Sequence, residues 1–288
     1  MASFVSYAQN YEDVMLWRAL RDVENGFYID VGAADPDELS VTGAFYRRGW
    51  HGINIEPEPV YAAKLKAARP RDLNLQLALG ATPGRAVLQR MAGTGLSTMD
   101  VGIAAQHARA GFAEAEPLEV EVATLAAICD QHAPDTIHFL KIDVEGAERE
   151  VLLGADLRRH RPWIILVEAT RPSSPERTSD KFEDLLLNAG YRECWFDGLN
   201  TWYLAEEHEG RLRGCFVVPP NVFDDFVPNR YAMQINQLEQ LAEAALRERE
   251  AALRVRTALR AALEAVYRSI SWRATAALRA LRRAFRRS

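Results

Sequence analysis

Two apolar patterns take turns along this chain: short dense runs rich in β-branched and aromatic residues, and longer stretches where apolar residues recur every three or four positions. The first predicts buried strands and the second amphipathic helices. Phe27-Tyr28-Ile29-Asp30-Val31 is a dense run that breaks into Gly32-Ala33-Ala34, a turn leading toward a helical stretch that closes at Arg47-Arg48-Gly49. His51 to Glu56 predicts a second strand, and Glu58 to Ala68, between Pro57 and Pro70, a helix after it. Asn74 to Gly80 alternates and predicts a third strand. Two βα units in succession imply a parallel sheet with right-handed crossovers. After a helix over Thr124 to Gln131, Thr136 to Asp143 reads as another buried strand. A helix with Val151, Leu152 and Leu153 on its apolar face then closes at Gly154. Pro162 to Glu168 is a further apolar strand, and Phe182 to Ala189 a further helix. Tyr191 to Phe196 and Thr201 to Ala205, joined through Asp197-Gly198-Leu199-Asn200, carry a hairpin signal. The prediction is an α/β, Rossmann-like fold with a mostly parallel seven-stranded sheet closed by an antiparallel hairpin.

The remaining stretches fill in the ends and one insertion. Ser6 to Asp22 predicts a helix with Val14, Trp17 and Leu20 on its apolar face and Glu12-Asp13 in its first turn. Its polar group Gln9-Asn10-Tyr11-Glu12 suits either the border of a pocket or a solvated cap. Ala86 to Met91 and Pro117 to Val122 predict edge strands, with the glycine- and hydroxyl-rich loop Gly93 to Met99 between them as a lid or a plain connection. The turn-rich run Val217 to Asn229, with Pro219, Pro220 and Pro228, ends the domain, so residues 1–228 and 229–288 are expected as separate parts. From Tyr231 onward there is neither glycine nor proline, which predicts one long helix or two. Leu259, Leu263, Val266 and Ile270 follow the 3–4 spacing of a coiled coil, a register that suits self-association.

Composition changes this picture at one place. Hydrophobic content of 48% and charged content of 26% are ordinary, and a net charge of -5 gives no case for nucleic acid. From Ala265 onward, however, there are seven arginines (Arg268, Arg273, Arg279, Arg282, Arg283, Arg286, Arg287) and no acid, interleaved with Trp272, Leu278, Leu281 and Phe285. That mixture suits an anionic membrane surface or an acidic protein partner. Cys129, Cys194 and Cys215 are widely spaced and odd in number, which indicates neither a disulfide framework nor a zinc site. The first residues lack a signal-peptide pattern, and no apolar run approaches membrane-spanning length, so a cytoplasmic protein is expected.

Candidate chemistry gathers at strand ends. Four predicted strands finish in Asp30, Glu56, Asp143 and Glu168. Ligands of open α/β sheets sit beyond the carboxyl ends of the strands, so these four acids are expected around one crevice. Glu56 follows the glycine turn by about 20 residues, the position from which a carboxylate holds the two hydroxyls of a ribose. The G-x-G-x-x-G pattern is absent, which disfavours a pyrophosphate and favours a nucleoside without phosphates, such as S-adenosylmethionine (SAM). Glu168 and Asp143 together would suit a divalent cation, but no further ligand is identifiable and no metal site is assigned. His138 falls inside a strand and reads as a core residue.

Several of these stretches together resemble the FkbM family of SAM-dependent methyltransferases. They are Ser6-Tyr7-Ala8-Gln9-Asn10-Tyr11-Glu12-Asp13-Val14-Met15-Leu16, Asp30-Val31-Gly32-Ala33, Ile55-Glu56-Pro57, Leu96-Ser97-Thr98, and Phe139-Leu140-Lys141-Ile142-Asp143-Val144-Glu145-Gly146-Ala147-Glu148. Ala34 and Asp35-Pro36 depart from the family's usual small polar residue and glycine. The resemblance implies a class I methyltransferase fold, SAM as cofactor, and O-methylation of a hydroxyl, often on a sugar or polyketide-type product. It places Asp30, Gly32 and Ala33 near the methionine portion of SAM, Glu56 with Pro57 at the ribose, and Ala78 and Leu79 beside the adenine. Asp143 is expected at the methyl side, as positioning residue or general base, with Glu145 as second candidate. The tail Ser269 to Arg279 is also similar to a C-terminal motif of bacterial surface-glycan enzymes, which draws the acceptor toward a saccharide. Two other classes stay open at this point: an NAD-dependent oxidoreductase, and a non-catalytic adaptor that uses its helical tail in glycan assembly.

Overall fold

The computed structural model describes residues 3–91, 93–111, 115–171 and 174–286. By contacts along the chain it forms two compact units, Met1–Asn229 and Arg230–Ser288. In order, the first unit contains β1 (Phe4–Ser6), α1 (Glu12–Leu20), β2 (Phe27–Val31), α2 (Gly43–Arg47), β3 (His51–Ile55), α3 (Pro59–Ala68), β4 (Leu73–Leu75), β5 (Ala78–Leu79), β6 (Gly84–Arg90), α4 (Val101–Arg109) and β7 (Glu116–Ala123). It continues with α5 (Leu125–His132), β8 (Phe139–Ile142), α6 (Glu148–Leu153), β9 (Ile164–Glu168), α7 (Glu183–Asn188), β10 (Tyr191–Phe196), β11 (Asn200–Ala205), α8 (Glu206–Leu212) and β12 (Phe226–Pro228). The tail is α9 (Asn229–Arg268), α10 (Ile270–Ala274) and α11 (Ala276–Phe285).

Seven strands make the central sheet, in the order β10-β11-β9-β8-β2-β3-β4. The five from β9 to β4 run parallel, and the β10–β11 hairpin pairs antiparallel onto β9. This is the mostly parallel, hairpin-closed sheet the apolar pattern predicts. Strand alternation then sorts side chains onto two faces. On one face Ile29, Val31, Ile53, Leu140, Ile142, Ile165 and Val167 pack with Leu125, Ile128, Val151 and Leu186 of the helices. On the other, Tyr28, Phe139, Ile164, Leu166 and Trp202 pack with Met15, Leu16, Leu20 and Phe45. The chain crosses from β2 to β3 on one side and returns to β8 on the other, so strand order reverses between β2 and β8. A crevice opens at such a reversal, beyond the strand ends.

Four expectations need correction. The first helix begins at Glu12, not Ser6, because Phe4–Ser6 pairs in parallel with Phe226–Pro228 and Tyr11 turns the chain with φ 61. Asn74 to Gly80 is not one strand: Leu73–Leu75 completes the main sheet, whereas Ala78–Leu79 pairs with β7 in a separate three-stranded sheet, ordered β5-β7-β6. The two expected edge strands, β6 and β7, therefore pair with one another and not with the main sheet. The connection between them holds α4, capped by Asp100 through Gly102 N and Ile103 N. In the tail, Ser269 interrupts the helix, so the 3–4 register of Leu259, Leu263 and Val266 stops before Ile270, which starts α10. Arg287 lies outside the described residues. Among the described residues no helix is long and apolar enough to cross a membrane.

Candidate active site

A cavity of about 290 Å³ opens where β2, β3 and β8 end. Its walls include Val31 to Asp35 after β2, Ile55 to Glu58 after β3, and Lys141 with Asp143 to Glu145 at the end of β8. Leu77, with Ala78, Leu79 and Leu88 of the three-stranded sheet, supplies an apolar side, and Gly93 to Ser97 a polar loop. The volume is near the lower end of small-molecule sites, and the mixture of an apolar wall with convergent polar groups is their usual make-up.

The turn after β2 is fixed by backbone. Gly32 N and Ala33 N both donate to Ile55 O, and Gly32 takes φ +77. A Cβ at Gly32 would run into the carbonyl oxygen of Asp143. Glycine is thus required both for the left-handed backbone and for the approach of β8. Ala34 follows with φ 49, and its N–H donates to Glu56 Oε2 at 2.9 Å. Glu58 N donates to Glu56 Oε1 at 2.8 Å. Each Glu56 oxygen has one backbone donor and a second lone pair left over. Burial pushes this carboxyl up from 4.5 to about 7. Glu58 next to it caps α3 by accepting from Val60 N and Tyr61 N, and its Oε1 takes Arg90 Nε at 2.7 Å, tying the cavity's two sheets together.

At the end of β8 the sequence reading missed a residue. Lys141 is buried, lines the cavity, and donates to Gly32 O at 2.9 Å. Its Nζ is 3.4 Å from Asp30 Oδ1 and 3.3 Å from Asp143 Oδ2. The two carboxylates overcome the burial penalty and raise the ammonium above its usual range, so Lys141 is a fixed cation and not a base. The missed signal is a lysine within an apolar strand, a position that needs a paired charge.

Asp143, Glu145 and Glu168 each bring a carboxylate oxygen within 4.8 Å of the others. Burial first, then the neighbouring carboxylates, raise Glu145 and Glu168 above the ordinary range. The spacing would admit one divalent cation. Glu145 has φ 50, its carbonyl accepts from Thr98 Oγ1 at 2.6 Å, and its carboxylate lies 3.8 Å from His107 Nε2.

Of the predicted site residues, Gly32, Ala33, Glu56, Pro57, Ala78, Leu79, Asp143 and Glu145 line the cavity. Asp30 does not. Period-two alternation turns it to the α1/α2 face, where it is buried, accepts from Thr42 Oγ1 at 2.8 Å, and faces Lys141 across the β2–β8 pair. The four strand-end acids therefore do not ring one crevice: Glu56 and Asp143 do, Glu168 joins Asp143 from the side, and Asp30 serves the buried charge chain. That chain continues through Thr42 to Arg69, which is buried and also donates to Ser40 Oγ and Pro36 O. From the N-terminal signature, Gln9 reaches the cavity wall. Glu12 instead accepts from Asn200 Nδ2 at 2.9 Å, and Asn10 Nδ2 donates to Asp197 O, so both hold the hairpin loop. His138 accepts from Phe27 N at 3.0 Å and packs between Trp50 and Trp163, but it stands just before β8 and not inside the strand, and it is half-buried.

The Methyltransferase FkbM domain model matches residues 30–193, more than half of the chain. Among solved structures, a TehB-like SAM-dependent methyltransferase of Corynebacterium glutamicum is similar at 9% identity and a TM-score of 0.38, over 67% of this chain and 87% of that one. No curated protein matches the chain.

Proposed function

The chain belongs to the FkbM methyltransferase family, and on that premise we propose that it methylates a hydroxyl of a sugar, in bacterial surface-glycan or secondary-metabolite assembly. Family membership makes it a SAM-dependent methyltransferase and sets aside the oxidoreductase and adaptor readings. The observation that carries the site reading is Glu56: a buried carboxylate at the tip of β3, facing a cavity, with one lone pair on each oxygen not taken by backbone. Two vicinal hydroxyls are the donor pair that fits it.

The residues fit SAM as follows. Glu56 would hold the ribose, with Pro57 beside it. Ala78 and Leu79 offer the apolar wall an adenine needs. Gly32 and Ala33 give the bare backbone turn against which the methionine portion would lie. When bound, SAM supplies an electrophilic methyl group on a sulfonium. The protein's part is to bring an acceptor oxygen into line and take its proton. Asp143 and Glu145, at the end of β8 on the cavity wall, are the carboxylates we assign to take it, and Lys141 holds Asp143 by an ion pair so that it stays aimed. The saccharide acceptor rests on the carboxylate-rich mouth, since sugar hydroxyls donate to such groups, and on the glycan-enzyme likeness of the tail.

Titration calorimetry with SAM and with NAD tests the cofactor site: SAM binding without NAD binding is expected. A mass-spectrometric screen of nucleotide sugars and surface glycans for a methylated product tests the acceptor class. Methylation confined to non-saccharide hydroxyls would overturn the sugar reading.

A further inference from the structure

We infer that the end of the tail is an interfacial helix that seats the enzyme on an anionic lipid surface. The pattern lies in α11 and its C-terminal cap, Arg286. Arg279, Arg282, Arg283 and Arg286 follow spacings of three, one and three, so they share one arc of the helix. Leu278, Leu281 and Phe285 follow spacings of three and four and share the opposite arc, flanked by Ala277, Ala280 and Ala284. The three large side chains are 67%, 60% and 81% exposed. A helix with one fully cationic arc and one apolar arc, on a tail that contains no acid after Glu264, is built to lie in an interface and not to cross it.

The preceding residues extend the same surface. Ile270 is 87% exposed, and Ser269 caps α10 through Trp272 N. The Arg279 guanidinium stacks over the Trp272 ring at 3.7 Å, which places an indole beside the cationic arc. Tryptophan and arginine prefer the headgroup level, and guanidinium groups meet phosphate in a two-pronged fashion.

Charge chooses the partner. The whole chain carries -5, and its last 24 residues hold seven arginines and no acid, so the remainder carries -12. An anionic surface attracts the tail and repels the rest, which confines contact to the tail. An acidic protein would satisfy the arginines but leave Leu278, Leu281 and Phe285 without burial; a bilayer satisfies both arcs.

The test is co-sedimentation of the full chain with vesicles of phosphatidylcholine alone or with about one-third phosphatidylglycerol. Binding is expected only to the phosphatidylglycerol vesicles and is expected to weaken with salt. The triple change Arg282→Gln, Arg283→Gln, Arg286→Gln and, separately, the double change Leu281→Asp, Phe285→Ala should each weaken binding at least about tenfold. SAM affinity and the thermal midpoint should not move in either variant, which shows that the body still folds. No binding to phosphatidylglycerol vesicles at low salt overturns the inference. So does a double variant that binds as well as wild type while the arginine variant fails, because that result describes a purely ionic partner such as an acidic protein.

Discussion

Replacing Glu56 by glutamine keeps its shape and removes its titration, and it separates cofactor binding from folding. In the free protein burial holds this carboxyl at about 7 instead of 4.5. At about 1.4 kcal/mol per pH unit, ionising it in place costs the fold roughly 3 kcal/mol. The folded carboxyl keeps its proton to a higher pH than the unfolded one. Wild-type stability is therefore greatest below pH 4.5, falls as pH rises to about 7, and is level above that as far as this group is concerned. Glu56→Gln has no such slope, so its thermal midpoint should gain on wild type by several degrees between about pH 5 and about pH 8. Binding runs the other way. Hydroxyl donors favour the ionised carboxylate, so wild-type affinity for SAM should fall up to tenfold for each pH unit below about 7. The glutamine must turn its amide nitrogen toward Ala34 N–H or Glu58 N–H, and it loses one charge-assisted bond to the ribose. SAM affinity at about pH 8 should drop about 10- to 100-fold, roughly 1.5–3 kcal/mol. Calorimetric titrations across pH, paired with thermal melts, read both effects. A wild-type affinity that is flat from about pH 6 to about pH 8, or a variant with an unchanged dissociation constant, would falsify the ribose assignment.

Three further changes probe the supports of the site. Gly32→Ala should fail to bind SAM and lose about 3–5 kcal/mol or more in chemical denaturation, because its methyl collides with the Asp143 carbonyl; a fully stable variant would mean that the β2 turn adapts. Lys141→Met leaves Asp30 and Asp143 without their shared cation and should cost about 3–5 kcal/mol. Pairing it with Asp30→Asn should recover part of that loss, and additive losses would show that the two are not coupled. Asp13 accepts from Ser6 Oγ, Tyr7 N and Ala8 N, so Asp13→Ala should lower stability by about 2–4 kcal/mol and loosen β1 in hydrogen exchange; unchanged protection at Tyr7 and Ala8 would refute that anchoring role.

What the sequence disclosed followed from local pattern. Phe27 to Val31 and His51 to Ile55 are dense runs with punctuated ends, so their strands, their parallel pairing and the tip position of Glu56 were legible. The hairpin was legible because Asp197-Gly198 separates two aromatic-rich runs. What escaped depends on partners far along the chain. Nothing within Asn74 to Gly80 announces that Leu75 pairs with β3 and Ala78 with β7, since the break is made by tertiary pairing. Its place at the end of a predicted strand points Asp30 to the crevice. One residue of alternation, with Thr42 and Lys141 waiting on the other face, decides against it. Lys141 itself was visible only as a letter in a motif, because the acid beside it in space sits 111 positions earlier.

Two carboxylates on the cavity wall are placed to receive the acceptor's proton. Asp143 lines the cavity and carries the Lys141 ion pair, whereas Glu145 lines it with a carboxylate 3.8 Å from His107. Glu168 does not line the cavity but crowds both. One ammonium does not neutralise three clustered carboxylates, and burial makes the excess charge costly, so Glu145 and Glu168 hold protons more tightly than free carboxylates do. A proton arriving at Glu145 is then shared with Glu168, because the two carboxylates repel one another's charge. Proton affinity near neutrality belongs to the cluster more than to any one side chain. A pH–rate profile of methyl transfer would therefore report the cluster, and exchanging Glu168 for glutamine would shift it although Glu168 does not line the cavity.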